Sequence, residues 1–286
     1  MQKGKFGVQM MMLKGKVEEL GAYETMEKIK DLGYQCVEVS QIPMTPENVA
    51  ELKRASEDFN IEIAACSAAL EPNMPGMPGE TLATDFEKIV NDCKTLNCNF
   101  LRIGMLPLHL MGNKDKIMEF IQKAEAMAEK LAAHDIELYY HNHHIEFEQY
   151  DGETLLDIMK NHTSKIGFEL DVHWIHRGGE NPIEVINRFK NRTSLIHLKD
   201  YRIGHLDVTE DDLKDRGEFW TKFTNVIEFA EVGQGRLDFK GIIEAGLKSG
   251  SKYFLIEQDD TYGRDPFESL KISADYLCDL GYSDWF

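Results

Sequence analysis

Four short segments in the C-terminal half of the chain each read as a buried strand that ends in metal-binding side chains. They are Ile136-Glu-Leu-Tyr-Tyr-His-Asn-His-His144, Ile166-Gly-Phe-Glu-Leu-Asp-Val-His173, Ser194-Leu-Ile-His-Leu-Lys-Asp200 and Tyr253-Phe-Leu-Ile-Glu-Gln-Asp259. Apolar residues lead in, and His, Asp or Glu follow. In a closed barrel of parallel strands all such ends open on one face, where ligands bind. The repeat therefore constrains both the architecture and the place of any chemistry.

The rest of the sequence supplies the remaining strands. Strand-like runs at 6–11, 36–40, 61–67, 100–106, 136–141, 166–172, 194–198 and 253–257 alternate with amphipathic stretches. The stretch at 114–133 carries Ile117, Phe120, Ile121, Ala124, Met127, Ala128 and Leu131 on one face of a 3.6-residue period. Pro182 and Pro266 suit first helical turns, where a missing N–H costs nothing. Eight β/α units predict a single-domain (β/α)8 TIM barrel over 1–286, since barrels of about 250 residues fold as one unit. An open doubly wound sheet is the alternative, but no glycine-rich dinucleotide loop follows the first strand. One stretch, 201–231, is too long for an ordinary βα loop. It is charged early (Asp207, Glu210, Asp211, Asp212) and aromatic late (Phe219, Trp220, Phe223, Phe229). It reads as an insertion on the catalytic face, and its aromatic part is the candidate contact for a homo-oligomer.

Charge narrows the partners. Thirty-two Lys and Arg face 50 Asp and Glu, a formal charge of −18. Such a surface repels phosphate backbones and anionic lipids, so neither nucleic acid nor membrane is expected as a partner. No apolar run approaches the ~20 residues of a membrane span, and the N-terminal residues lack a signal-peptide core. Five cysteines without a CxxC pair read as buried thiols in a reducing compartment. The expected location is cytoplasmic.

The strand ends carry the expected chemistry. Asp171 can reach the barrel axis, with Glu169 one layer deeper by two-residue alternation. The alternative is that Asp171 caps the next loop. His173 points the same way as Asp171, about 7 Å further on, and suits a substrate hydroxyl or a proton transfer. His197, with Lys199 two residues on, is either a core histidine or a ligand, and its company favours a ligand. Glu257 follows four apolar residues and must be paired or metal-bound, because an isolated buried carboxylate is costly. The segment 141–147 holds three histidines and a glutamate. Glu146 from the loop or His141 from the strand end completes a metal set, and Glu146 is preferred, leaving His143 as an acid/base. Glu38 and Arg102, ending strands two and four, either hold substrate hydroxyls or pair within the rim. His141 and Trp174 join them as candidate substrate contacts. Mixed nitrogen and oxygen donors suit one divalent ion (Mn, Zn, Co or Mg), with Mn favoured.

The motifs His141-Asn-His-x-x-Glu-Phe147, Leu170-Asp-Val-His-Trp-Ile-His-Arg-Gly-Gly179, His197-Leu-Lys-Asp-Tyr201, Val232-Gly-Gln-Gly235 before Asp238-Phe239, and Ile256-Glu257 together resemble the xylose isomerase-like barrel superfamily. The nearest branch is that of sugar isomerases, epimerases and inosose-dehydratase-like proteins. The resemblance spans nearly the whole chain. It implies that Asp171, His197 and Glu257 are three of four metal ligands. The fourth is usually a Glu at the end of strand five, where this chain has His141. Glu146 is taken in its place, which makes the expected set Glu146, Asp171, His197 and Glu257. The implied activity is metal-dependent sugar isomerisation or epimerisation, by proton abstraction next to a carbonyl and a metal-stabilised enediolate. The substrate is then a sugar or keto-sugar. His143, His173, Lys199 and Glu146 are the expected acid/base groups. A lyase or dehydratase acting on a keto-sugar, inosose or 3-keto glycoside is the first alternative, and a non-catalytic sugar-binding barrel the second. An abasic-site endonuclease, another chemistry of such barrels, is opposed by the negative charge.

Overall fold

The structure, a computed structural model, describes residues 3–72, 74 and 79–286. Eight parallel strands close into a barrel in sequence order. They are β1 (Lys5–Gln9), β2 (Cys36–Val39), β3 (Glu62–Ser67), β4 (Phe100–Ile103), β5 (Glu137–His141), β6 (Gly167–Asp171), β7 (Leu195–Leu198) and β8 (Tyr253–Ile256). β1 closes the ring by pairing with both β2 and β8, with Val8 opposite Val37 on one side and Ile256 on the other. The sequence is thus a single-domain (β/α)8 barrel.

Strand alternation divides the side chains into an inner and an outer set. Outward residues such as Phe6, Val37, Leu138, Phe168, Leu170, Ile196 and Phe254 form the large apolar cluster beneath the helices. Inward residues fill the axis in layers. The N-terminal end is plugged by Cys36, Phe100, Tyr139, Leu195 and Tyr253. Gly167 is required there, because a Cβ would meet the Tyr139 ring at 2.4 Å. Toward the C-terminal end the inward positions turn polar, with Gln9, Glu38, Arg102, His141, Glu169, Asp171 and His197 all buried. The same alternation that builds the core therefore delivers the charged groups to one mouth.

The helices follow the periodicity. Lys114–Ala132 buries Ile117, Phe120, Ile121, Ala124, Ala128 and Leu131, while Met127 is only partly buried. Asn113 caps its first turn by accepting from Lys116 N–H. Pro182 and Pro266 both occupy first turns, behind Asn181 and Asp265 as caps.

Three expected strand ends shift most. Strand one stops at Gln9 instead of 11, where a 3-10 turn begins, strand four stops at Ile103 instead of 106, and strand six stops at Asp171. The Asp171 carboxylate accepts from Trp174 N–H and starts the helix Val172–Arg177, so capping overrides strand continuation. Residues after β7 form an antiparallel hairpin, Asp200–Ile203 against Ile227–Ala230, enclosing a helix at Arg216–Thr224 with no buried residue. Asp200 anchors its base. Its carboxylate accepts from the backbone N–H groups of Tyr201, Gly233, Gly235, Arg236 and Leu237. Gly235 is needed in that turn, since a Cβ would lie 2.2 Å from the Tyr201 carbonyl oxygen. Among the described residues no helix is long and apolar enough to cross a membrane.

Candidate active site

The four C-terminal strands bring His141, Asp171, His197 and Glu257 together, each offering a donor atom within 4.8 Å of the others. His141 ends β5 and Asp171 ends β6. His197 lies inside β7, and Glu257 directly follows β8. His141 Nε2 is 3.6 Å from Asp171 Oδ2. His197 Nδ1 is 2.9 Å from Glu257 Oε2 and 3.9 Å from Asp171 Oδ2.

Glu146 does not join this group, contrary to the preference stated for it. It sits one turn beyond the strand end, fully buried. Its carboxylate accepts from the Tyr140 hydroxyl at 2.6 Å and from the His143 backbone N–H at 2.7 Å. The reason is directional. His141 is an inward position on β5, whereas Tyr140 faces outward, and Glu146 follows Tyr140 to the barrel's outer side. Burial pushes the Glu146 carboxyl up to about 7, against the pull of those hydrogen bonds.

The donor set fits a divalent cation on an observation independent of resemblance. His141 Nε2 and Asp171 Oδ2 are buried and have no hydrogen-bond partner among the described residues. Unpaired buried polar atoms are expensive and rare unless a ligand completes them. His141 Nδ1 faces the Gly104 carbonyl oxygen at 3.3 Å, which suits an N–H there and leaves the Nε2 lone pair toward the cluster. Two imidazole nitrogens and two carboxylates suit Zn, Mn or Co better than Ca.

A second buried layer lies directly beneath. His197 Nε2 is 2.9 Å from Glu38 Oε2 and 3.2 Å from Glu169 Oε1. Arg102 pairs with Glu38, lies 3.1 Å from Glu169 and donates to Ser40 Oγ at 2.8 Å. Glu38, Glu169 and His197 could themselves hold a cation, but the Arg102 guanidinium already supplies positive charge. Burial raises the Glu38 carboxyl, but Arg102 and His197 outweigh it and hold it below the ordinary range. Glu169, raised by burial and then by Glu38, is pushed up to about 8. The two carboxyls are thus pushed in opposite directions, as expected of like charges at close quarters. Glu38 and Arg102 pair with each other, and Arg102 also lines the cavity.

Lys199 is buried and lies 2.7 Å from Asp259, 3.2 Å from Glu257 and 3.7 Å from Asp171. Burial lowers its ammonium, but Glu257, Asp171 and Asp259 outweigh that and keep it charged. Its Nζ is also 4.9 Å from the centre of the Trp174 ring. His143 lines the cavity with His141, Lys199 and Glu257. Its Nδ1 is buried without a partner, and burial followed by the proximity of His141 pulls it down to about 3. It is therefore a neutral imidazole.

His173 departs from its expected direction. Because β6 ends at Asp171, His173 falls in the first helical turn, packed against Trp174, Tyr201 and Phe229. Neither ring nitrogen has a partner, and burial draws it down to about 3. Trp174 likewise packs between His173 and His143, with its Nε1 unpartnered. Neither lines the cavity.

Three groups escaped the sequence reading. Gln9, at the end of β1, donates from Nε2 to Glu257 Oε1 at 2.9 Å. It was detectable as an inward polar residue closing an apolar strand. Asp259 follows Glu257 by the two-residue interval that carries inward positions. Ser40 had no distinguishing signal.

Comparison with known proteins agrees with this fold. Solved structures share the fold across nearly the whole chain. A sugar phosphate isomerase/epimerase from Parabacteroides distasonis ATCC 8503 aligns over 98 % of this chain and 99 % of its own, at 21 % identity and a TM-score of 0.74. A 3-keto-D-glucoside 4-epimerase from E. coli aligns over 97 % of this chain and 100 % of its own, at 14 % identity and a TM-score of 0.67. In sequence, an inosose dehydratase of Lacticaseibacillus casei is 27 % identical over 155 residues, 54 % of this chain and 51 % of that protein. The chain thus spans about half the length of the curated relatives it matches. The model of the xylose isomerase-like TIM barrel family matches residues 26–280. With its barrel closed and its polar groups gathered at the C-terminal mouth, the chain belongs to the xylose isomerase-like TIM barrel family.

Proposed function

We propose that the protein is a divalent-metal-dependent sugar isomerase or epimerase that moves a proton on the carbon next to a carbonyl. The observation that carries this reading is the buried set of His141, Asp171, His197 and Glu257, opening on a cavity that the neutral His143 also lines. The metal, with Mn favoured, would be held by those four residues and would supply Lewis-acid polarisation of the substrate carbonyl.

The protein's own groups account for the proton. His143 keeps a free lone pair at its ring and takes the carbon-bound proton. Glu146 is a positioning residue: its bonds to Tyr140 and to the His143 N–H fix the turn that presents the imidazole. Lys199 keeps its ammonium among Glu257, Asp259 and Asp171 and donates toward oxygen as charge develops there. Gln9 holds Glu257 in orientation, and Glu38 does the same for His197. Return of the proton to the opposite face gives an epimer, and return to the neighbouring carbon gives an isomer. His173 and Trp174 form the aromatic wall behind Lys199 and shield it from water.

A lyase reading is favoured by one observation, the inosose dehydratase match. There the same proton removal would be followed by loss of a β-hydroxyl. The test is solvent exchange. The Mn-loaded protein in D2O should place deuterium beside the carbonyl of a keto sugar or an inosose, and His143→Ala should abolish this while retaining the ion. Product analysis then separates epimer, isomer and dehydrated product. Absence of exchange across both substrate classes would sink the reading and favour a barrel that only binds sugar.

A further inference from the structure

We infer that the substrate is uncharged and carries an apolar substituent, which lies in a side arm of the cavity over the C-terminal ends of β1, β2, β3 and β4. The inference rests on the site proposed above and extends it to substrate class. The cavity measures about 960 Å3. That is at the upper end of the roughly 300–1,000 Å3 that houses drug-sized ligands, and more than a lone monosaccharide ring fills.

Its two ends differ in chemistry. One end holds Gln9, His141, His143, Lys199 and Glu257, matched to hydroxyl and carbonyl groups. The other carries Met11, Ile42, Met44, Ala68, Ala69 and Met105, interleaved with the polar Ser40, Gln41, Thr45 and Ser67. Three of the six apolar residues are methionines, each partly exposed. Unbranched thioether side chains adapt to irregular apolar shapes, and they are favoured where a surface must accept more than one apolar group. A sugar alone would leave that wall in contact with water, at a cost that scales with apolar area.

The charges exclude a phosphorylated substrate. Arg102, Lys88 and Lys199 are the cavity's only Lys or Arg among the described residues, and the undescribed residues contain neither. All three are spent. Arg102 is engaged by Glu38, Glu169 and Ser40. Lys199 is held by Asp171, Glu257 and Asp259. Lys88 is held by Glu80, Asp92 and the Met44 carbonyl oxygen. The helix Pro46–Phe59 begins at the cavity, yet its start is a poor anion site. Pro46 has no N–H, Thr45 already accepts from Asn48 N–H, and Glu47 places a carboxylate in the first turn. A phosphate dianion would instead meet Glu80 and Asp259 on the same lining.

The test is calorimetric binding to the Mn-loaded protein of four probes: methyl, phenyl and octyl β-D-glucoside, and glucose 6-phosphate. Phenyl and octyl glucoside should bind at least about tenfold more tightly than the methyl compound, the discrimination that a few apolar contacts supply. Glucose 6-phosphate should bind most weakly. The double variant Met44→Asp, Met105→Asp should erase the phenyl-to-methyl ratio. A ratio near one in the wild type, no binding of phenyl glucoside, or tightest binding by glucose 6-phosphate would each overturn the inference. The wild-type series decides the matter even where the variant fails to fold. Failure of the proton-abstraction reading shows separately, as absent solvent exchange alongside an intact preference for apolar glucosides.

Discussion

Replacing His141 with Ala takes one of four donors from the proposed metal group, whereas replacing Glu146 with Gln takes none. His141→Ala should therefore weaken Mn binding by more than the about 10–100-fold typical of losing an outer partner of a ligand. Glu146→Gln should leave binding unchanged and alter only proton exchange. Titration followed by electron paramagnetic resonance distinguishes them, and the reverse pattern would restore Glu146 to the metal. The layer below gives a second residue-scale expectation. Arg102→Met leaves Glu38 and Glu169 buried without their shared cation. Breaking a buried ion pair by removing one partner costs about 3–5 kcal/mol. Urea unfolding should show that loss, and stability close to wild type would mean the carboxyls simply take up a proton.

Single elements depend on a few bonds that no periodicity reveals. Glu125, on the helix Lys114–Ala132, accepts from the backbone N–H groups of Ser164, Lys165 and Ile166 and from the Ser164 hydroxyl. It thereby fixes the approach to β6. Burial raises its carboxyl, but these bonds outweigh burial and lower it overall. A lowered folded-state value means the stabilisation is complete above the ordinary glutamate range and is lost as pH falls through the lowered value. Glu125→Gln should remove about 1–3 kcal/mol at neutral pH and less at acid pH below the ordinary glutamate range, as read by urea titrations at the two pH values. An equal loss at both would assign the effect to packing. The hairpin base is similarly local. Gly235→Ala drives a Cβ into the Tyr201 carbonyl and the Asp200 carboxylate. About 1–3 kcal/mol of destabilisation is expected, as for other overpacked positions. The strands were legible because each has an inward and an outward set. The end of β6 was half legible: capping by Asp171 was one of its two readings, but not that the same residue would both cap a helix and face the donor set. That one capping bond turned His173 from the mouth of the barrel into the aromatic wall. Glu146 was misjudged for a related reason: residue type pointed to a metal, but the outward face of Tyr140 decided its partner.

At the scale of the molecule, the barrel and the excursion after β7 separate cleanly. The helix Arg216–Thr224 buries nothing, and Leu213, Trp220 and Phe223 are about half exposed. The barrel strands, the Asp200 anchor and the proposed donors all lie outside it. Replacing residues 205–225 with an Asn-Gly turn between Gly204 and Val226 should leave Mn binding intact. It should change unfolding free energy by less than about 1 kcal/mol, since surface segments away from packing contribute little. A large loss would mean that the exposed aromatics stabilise the barrel through contacts between copies. The fold and the convergence of four strand ends could be read from the chain because both follow from alternation. What the sequence hid was which neighbours each buried charge would find.

One contact ties the ends of the strands to the folding history of each molecule. Gln9 and Glu257 are 248 positions apart and meet only across the β1–β8 seam. The four donors themselves lie on β5 to β8, consecutive in the sequence, so it is the support that Gln9 gives Glu257 that waits on the seam. Contacts of such separation form late, because the loop they close is long. A refolding molecule should therefore acquire tight cation affinity last, when its first strand docks against its last. The delay between recovery of helical signal and capture of Mn would time the closing of the ring.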